Sequence, residues 1–131
     1  MVEQKLSTKE IGKLGEDVAA DFLKRKGYRI LVRNYIPRWF TQGRKEIDIV
    51  AQKGGFLIFV EVKAGRSVGT FFPEDHVDYK KQQFLIRAAE AYLLEKKVPE
   101  NMEWQIDVVS VLFDQNFKNP AVSHFENAVS G

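Results

Sequence analysis

Ile11, Leu14, Val18, Ala19, Phe22 and Leu23 recur at the three- and four-residue spacing of a helix with one apolar face. Ser7 followed by Glu10 forms a capping box that opens this helix, and Lys24 to Lys26 suit its last turn. Gly27 then ends it in the left-handed conformation that other residues adopt at a cost. Past that glycine the period changes. Residues 28–36 read as a first strand closed by Pro37, and 38–44 as a basic, aromatic loop. Runs 45–52 and 56–63 flank Gly54-Gly55 and predict a hairpin. After a glycine-bearing loop at 64–77, a second helix is expected over 78–97, with Phe84, Leu85, Ala88, Ala89, Tyr92 and Leu93 as its apolar face and Pro99 beyond it. Strands at 104–113 and 121–125 complete the pattern. Helix, three strands, helix, two strands predicts an α/β fold: a mixed central sheet flanked by helices, rather than a bundle or a sandwich. The 131 residues form one domain on this reading, with 1–6 a loose lead-in.

The hairpin is where chemistry concentrates. Side chains alternate across a strand. One face therefore carries Ile47, Ile49 and Ala51 with Ile58, Val60 and Val62, wholly apolar and destined for burial. The other carries Glu46, Asp48 and Val50 with Leu57, Phe59, Glu61 and Lys63. A two-residue turn at Gly54-Gly55 makes paired positions sum to 109. Asp48 then lies opposite Glu61, and Glu46 opposite Lys63, with directly opposed Cβ atoms ~4.5–5.5 Å apart. A one-residue slip would split the apolar rows between faces, so burial disfavours it. Two facing carboxylates repel unless neutralised. A hard divalent cation, Mg²⁺ or Mn²⁺, does this with oxygen ligands while leaving places for water and phosphate. A lysine two residues beyond a ligand can orient or deprotonate an activated water, or stabilise charge on phosphate. Surface ion pairs, Glu46 with Lys63 foremost, account for the same residues without any metal.

Composition narrows the setting. The absence of cysteine excludes a disulfide framework, a thiolate metal site and a Cys nucleophile, and fits a cytoplasmic protein. No apolar run approaches the ~18 residues of a membrane span. Net charge is only +2, but residues 1–50 carry eleven Lys/Arg against seven Asp/Glu, whereas 90–131 carry three against seven. The basic excess thus accompanies the candidate site. Phosphate binding would use it; solvated surface charge explains it equally well.

Asp48, twelve intervening residues and Glu61-Val62-Lys63 resemble the PD-(D/E)xK signature of restriction-endonuclease-like nucleases. The chain as a whole resembles the YraN-like bacterial family. Gly12-Lys13-Leu14-Gly15-Glu16, Gly27-Tyr28, Arg33-Asn34-Tyr35, Glu46 to Ala51, Phe59 to Lys63, Ile106 to Val109 and His124 to Ala128 carry the likeness, over about residues 11–128. The resemblance implies a restriction-endonuclease-like (tRNA endonuclease-like) fold akin to Holliday-junction resolvases. It also implies a metal-dependent endonuclease acting on DNA, branched or junction DNA included, with Asp48 and Glu61 as Mg²⁺ ligands, Glu46 and Glu16 as further ligands, and Lys63 beside the attacking water. Resolvase-like enzymes act as dimers, so a homodimer is implied too, although no apolar strip in the sequence marks its interface. The departures are Lys45 where the family has Gly, Ala64-Gly65 with Arg66 where it has Thr-Arg, Gln105-Ile106 where it has Arg-Phe, and no signature proline. None removes a metal ligand.

Arg38, Arg44, Lys45, Arg66, Lys80 and Lys81 are candidate nucleic-acid contacts, each equally readable as a solvated charge. Trp39 and Phe40 suit base stacking or packing of the loop. Two glycines beside Glu16 suggest close approach of the first helix to the sheet. Asp107 reads as a structural partner near the site, and His76 and His124 as isolated. Two rivals to the nuclease stand: a nucleic-acid-binding protein of the same fold with little or no catalysis, and a structural interaction protein in which the cluster is a relic.

Overall fold

The computed structural model describes residues 5–38, 45–66 and 77–129. Trp39, Phe40, Arg44 and His76 lie outside them. Helix α1 (Thr8–Arg25) is followed by β1 (Arg29–Tyr35), β2 (Ile47–Lys53), β3 (Phe56–Arg66), α2 (Tyr79–Glu95), β4 (Glu103–Phe113) and β5 (Ala121–Val129). The five strands form one sheet in the order β1-β2-β3-β4-β5. Every neighbouring pair is antiparallel except β3 and β4, which run parallel and are joined through α2. The expected mixed α/β sheet is thus present. Among the described residues no helix is long and apolar enough to cross a membrane.

The capping box closes as predicted: Ser7 Oγ accepts from the Glu10 N–H, and Glu10 accepts from the Ser7 N–H. At the other end Gly27 takes φ 93°, with its own N–H donating to the Lys24 carbonyl and that of Tyr28 to Leu23. Helix α2 ends the same way, but Lys97 occupies the left-handed position at φ 52°. The β2–β3 register is also as predicted, running from Lys53↔Phe56 to Ile49↔Val60 with Gly54 left-handed in the turn.

One helix covers each face. Ala19, Ala20 and Leu23 of α1 pack on Ile49, Ala51, Ile58, Val60, Val109 and Val111. Gly15 is the point of closest approach: a Cβ there would stand 2.3 Å from that of Ala64. Gly12 has open space around it, so close packing explains only one of the two glycines. On the other face, Phe84, Leu85, Ala88, Ala89 and Tyr92 of α2 rest on Val50, Leu57, Phe59 and Ile106. Edge-to-face rings of Tyr35, Phe59, Tyr92 and Trp104 fill the wider gap there.

Four expectations need correction. Strand β3 continues through Ala64–Arg66, expected as loop, because parallel pairing with β4 persists to Arg66↔Phe113. Strand β5 is nine residues long rather than five. Ile47 belongs to the layer under α2, not with Ile49 under α1. The cause lies in the neighbouring strand: Asn34 takes φ 56°, which breaks the alternation of β1, and Tyr35 turns to the α2 side with its partner Ile47. Finally, Glu46 does not face Lys63, since the paired ladder stops at Ile49↔Val60 and the hairpin opens beyond it.

Candidate metal centre

That opening creates the site. Where the next ladder bond would fall, Asp48 Oδ2 accepts from the Val62 N–H at 2.7 Å, so a side chain replaces the backbone partner. Asp48 thereby turns toward α1. Carboxylate oxygens of Glu16, Glu46 and Asp48 come within 4.8 Å of one another, although they belong to a helix, a loop end and a strand. A cleft of about 390 Å³ opens above them, walled by Lys9, Gly12 and Lys13 of α1, by Asn34, and by Glu61 and Val62 of β3.

Each acid is held separately. Glu16 is buried and receives Arg33 Nε at 2.8 Å, while Arg33 Nη2 reaches Asp17 at 2.7 Å. Asn34 spans two acids with one amide nitrogen, donating to Glu16 Oε2 at 3.0 Å and to Glu46 Oε1 at 2.8 Å. Glu61 is only 4% exposed. Lys81 Nζ stands 3.2 Å from its Oε2, an ion-pair contact without the angle of a hydrogen bond. That oxygen is therefore buried with no hydrogen-bond partner among the described residues. The Asp48 carboxyl is held well above the usual carboxylate range, first by burial, then by the Glu61 charge and their shared hydrogen bond. The Val62 N–H and Lys81 oppose this shift.

The donor set consists of oxygens alone, two of its acids adjoin one another, and one buried carboxylate oxygen lacks a donor. These features fit a hard divalent cation of the Mg²⁺ or Mn²⁺ type. Glu16, Glu46 and Asp48 would hold it with the free oxygen of Glu61 beside them.

Of the basic residues expected around the site, Lys81 alone among the described ones makes an ion pair with an acid of the cluster. Lys63 is half-buried and makes no ion pair or hydrogen bond among the described residues. Arg66 stacks over the Phe117 ring at 5.0 Å and donates to the Gln115 carbonyl. The Arg38 N–H donates to Glu95, and Lys45 and Lys80 are exposed. Lys9, Lys13 and Asn34 line the cleft with no role assigned to them from sequence. The spacing Lys9, Gly12, Lys13, Glu16 is itself a polar helical stripe and was available as a signal.

His124 is not isolated. Its Nε2 lies 2.7 Å from the fully buried Asp107, whose other oxygen accepts from Gln105 and from the Asn127 N–H. Lys26 Nζ lies 2.9 Å from His124 Nδ1. An ammonium only donates, so Nδ1 is the acceptor and the ring proton sits on Nε2, toward Asp107. This group ties β4, β5 and the end of α1 together. Asp107 is thus a structural partner as expected, but it does not line the carboxylate cleft.

Fold and site together define an α/β domain that gathers acidic side chains at the open end of a β-hairpin. Residues 15–111 match the family described as "Uncharacterised protein family UPF0102". The chain belongs to that family. It is 41% identical over 114 residues to a UPF0102 protein of Dictyoglomus thermophilum, covering 86% of this chain and 91% of the relative. It is 42% identical over 124 residues to one of Alkaliphilus oremlandii, covering 92% and 97%. A UPF0102 protein of Flavobacterium johnsoniae is 39% identical over 121 residues, covering 91% and 93%.

Proposed function

We propose that this protein is a metal-dependent phosphodiesterase of restriction-endonuclease-like fold that hydrolyses DNA. The observation that carries the proposal is the convergence of Glu16, Glu46 and Asp48 within 4.8 Å beside a buried Glu61 whose Oε2 has no hydrogen-bond donor. Nothing in the packing of a sheet requires four acids at one end of a hairpin, and their mutual repulsion opposes it. A bound divalent cation offsets that repulsion and supplies Lewis acidity and an activated water. The chain itself contributes the carboxylates that hold the ion, the Asn34 amide that spaces two of them, and cations at the rim. Lys9 and Lys13 stand where a phosphate backbone would enter the cleft. The likeness of Asp48, Glu61 and Lys63 to the PD-(D/E)xK signature supports the same chemistry.

Cleavage of labelled single-stranded and four-way-junction DNA in Mg²⁺ or Mn²⁺ tests this. Wild-type protein should cut at least one substrate, and Asp48→Asn and Glu61→Gln should each lower the rate by 100-fold or more, about 2.7 kcal/mol of transition-state stabilisation. No cleavage, or equal cleavage by the variants, refutes it. A second reading, a nucleic-acid-binding protein of this fold without hydrolysis, draws on the position of Arg66 against Phe117 and on Lys63 making no hydrogen bond or ion pair among the described residues. It predicts DNA binding that weakens with salt and no product with any metal.

A further inference from the structure

The four acids of the cleft have one lysine in ion-pair contact among the described residues, and it comes from α2, not from the hairpin. Lys63 shares a strand face with Glu61, yet it makes no ion pair with an acid among the described residues. Lys81 reaches across from the first turn of α2, where Asp78 caps its backbone N–H at 2.8 Å. Its side chain is only 23% exposed, and Nζ lies 3.2 Å from Glu61 Oε2 and 5.4 Å from the centre of the Phe84 ring. The backbone is fixed, the stem is packed and the head faces a buried carboxylate. Without this ammonium, Glu61 would be a buried charge with no counter-ion among the described residues, an arrangement that strongly destabilises a folded protein.

The contact is electrostatic without being a hydrogen bond, so Oε2 keeps its lone pairs for another cation. We infer that Lys81 is the resident counter-cation of Glu61 within the carboxylate cluster, as Arg33 is of Glu16, balancing Glu61 while no divalent ion is bound and competing with that ion for the same oxygen. Lys81 is therefore a positioning residue for the metal centre, and the cation that an arriving metal leaves without an anion. A phosphate group beside the metal then has an ammonium at hand, a part the hairpin lysine does not take in this geometry. The inference rests on the divalent-cation reading above.

Calorimetric titration of metal-stripped protein with Mn²⁺ at pH 8 separates the two. Wild type should bind Mn²⁺. Lys81→Met should bind it about threefold more tightly or better, because a like charge beside the ion has gone. Lys81→Arg, which restores the charge, should return toward the wild-type value, and Lys63→Met should leave the affinity unchanged. Circular dichroism establishes that each variant is folded, and Lys81→Gln replaces Lys81→Met if the latter is not. Wild-type binding with an unchanged or weaker Lys81→Met affinity overturns the inference alone, as does an equal gain in Lys63→Met. If wild type binds no Mn²⁺, the metal reading falls and takes this one with it.

Discussion

Asp48→Asn should make the metal-free protein more stable, although the substitution removes the centre of the proposed site. In the wild type the Asp48 carboxyl adjoins that of Glu61, and burial strengthens their repulsion. An amide at this position still accepts from the Val62 N–H, now 2.7 Å from Oδ2. It also offers two N–H donors to the Glu61 carboxylate. A hydrogen bond to a charged group is worth ~1.5–3 kcal/mol, so a gain of about 2 kcal/mol is expected. For a chain of this length that corresponds to a rise in Tm of roughly 6–10 °C. The pH dependence carries a sign. Because the folded state raises the Asp48 pKa above 3.8, the folded protein retains a proton that the unfolded chain releases. Wild-type stability is therefore lost as pH rises from the ordinary carboxylate value through the raised one. The D48N variant lacks that loss, so the gap should be small below pH ~4 and widest above the raised pKa. Urea and thermal unfolding in EDTA, from pH 4 to 8, measure it. Mn²⁺ at ten times its Kd should then add ~1.4 kcal/mol to the wild type and less to the variant, narrowing the gap. A variant less stable than wild type in EDTA, or a gap independent of pH, would refute this account of the cluster.

Substitutions at five further positions probe the frame. Gly15→Ala should cost about 1–3 kcal/mol in urea unfolding, since its Cβ meets that of Ala64 at 2.3 Å, whereas Gly12→Ala should gain up to ~1 kcal/mol from helix propensity in open space. Asn34→Ala should cost about 2 kcal/mol by removing two hydrogen bonds and leaving alanine at φ 56°, with Asn34→Gly less damaging by ~1 kcal/mol; equal losses would show that the backbone strain is irrelevant. Asp107→Ala should cost about 3 kcal/mol or more, because Gln105, the Asn127 N–H and His124 all lose one fully buried acceptor. Lys97→Gly, at φ 52°, should raise Tm by a few degrees through ~1 kcal/mol of relieved strain.

Local signals survived intact from sequence to structure. The Ser7-Glu10 box, the Gly27 stop and the Lys53↔Phe56 register each depend on residues a few positions apart, and each appears as read. Alternation marked Glu46 and Asp48 as acids of one strand face, whereas Glu16 joined them only through the family resemblance; the structure brings the three together. What the period could not carry was direction. Strand alternation assigns Asp48 to the α2 side, and the structure turns it toward α1. The reason is a left-handed Asn34 two strands' width from Glu61, a backbone state with no periodic signature.

The same limit explains the cations. Lys63, expected opposite Glu46, is the nearest lysine to Glu61 along the strand, but Glu61 meets Lys81, twenty residues after it. Pairing with β4 extends β3 beyond Lys63 and holds that residue in regular strand, so its side chain cannot fold back on the open end of the hairpin. Helix α2, standing off the sheet on a layer of aromatic rings, has the reach to supply an ammonium from above. His124, inside the expected strand, meets Asp107 through its own Nε2, and the four residues of β5 beyond the expected end add the Asn127 N–H to the same carboxylate. Three of the site's acids thus come from the hairpin and its approach and one from α1, while their counter-charges come from β1 and α2, elements that the hairpin's own sequence does not specify.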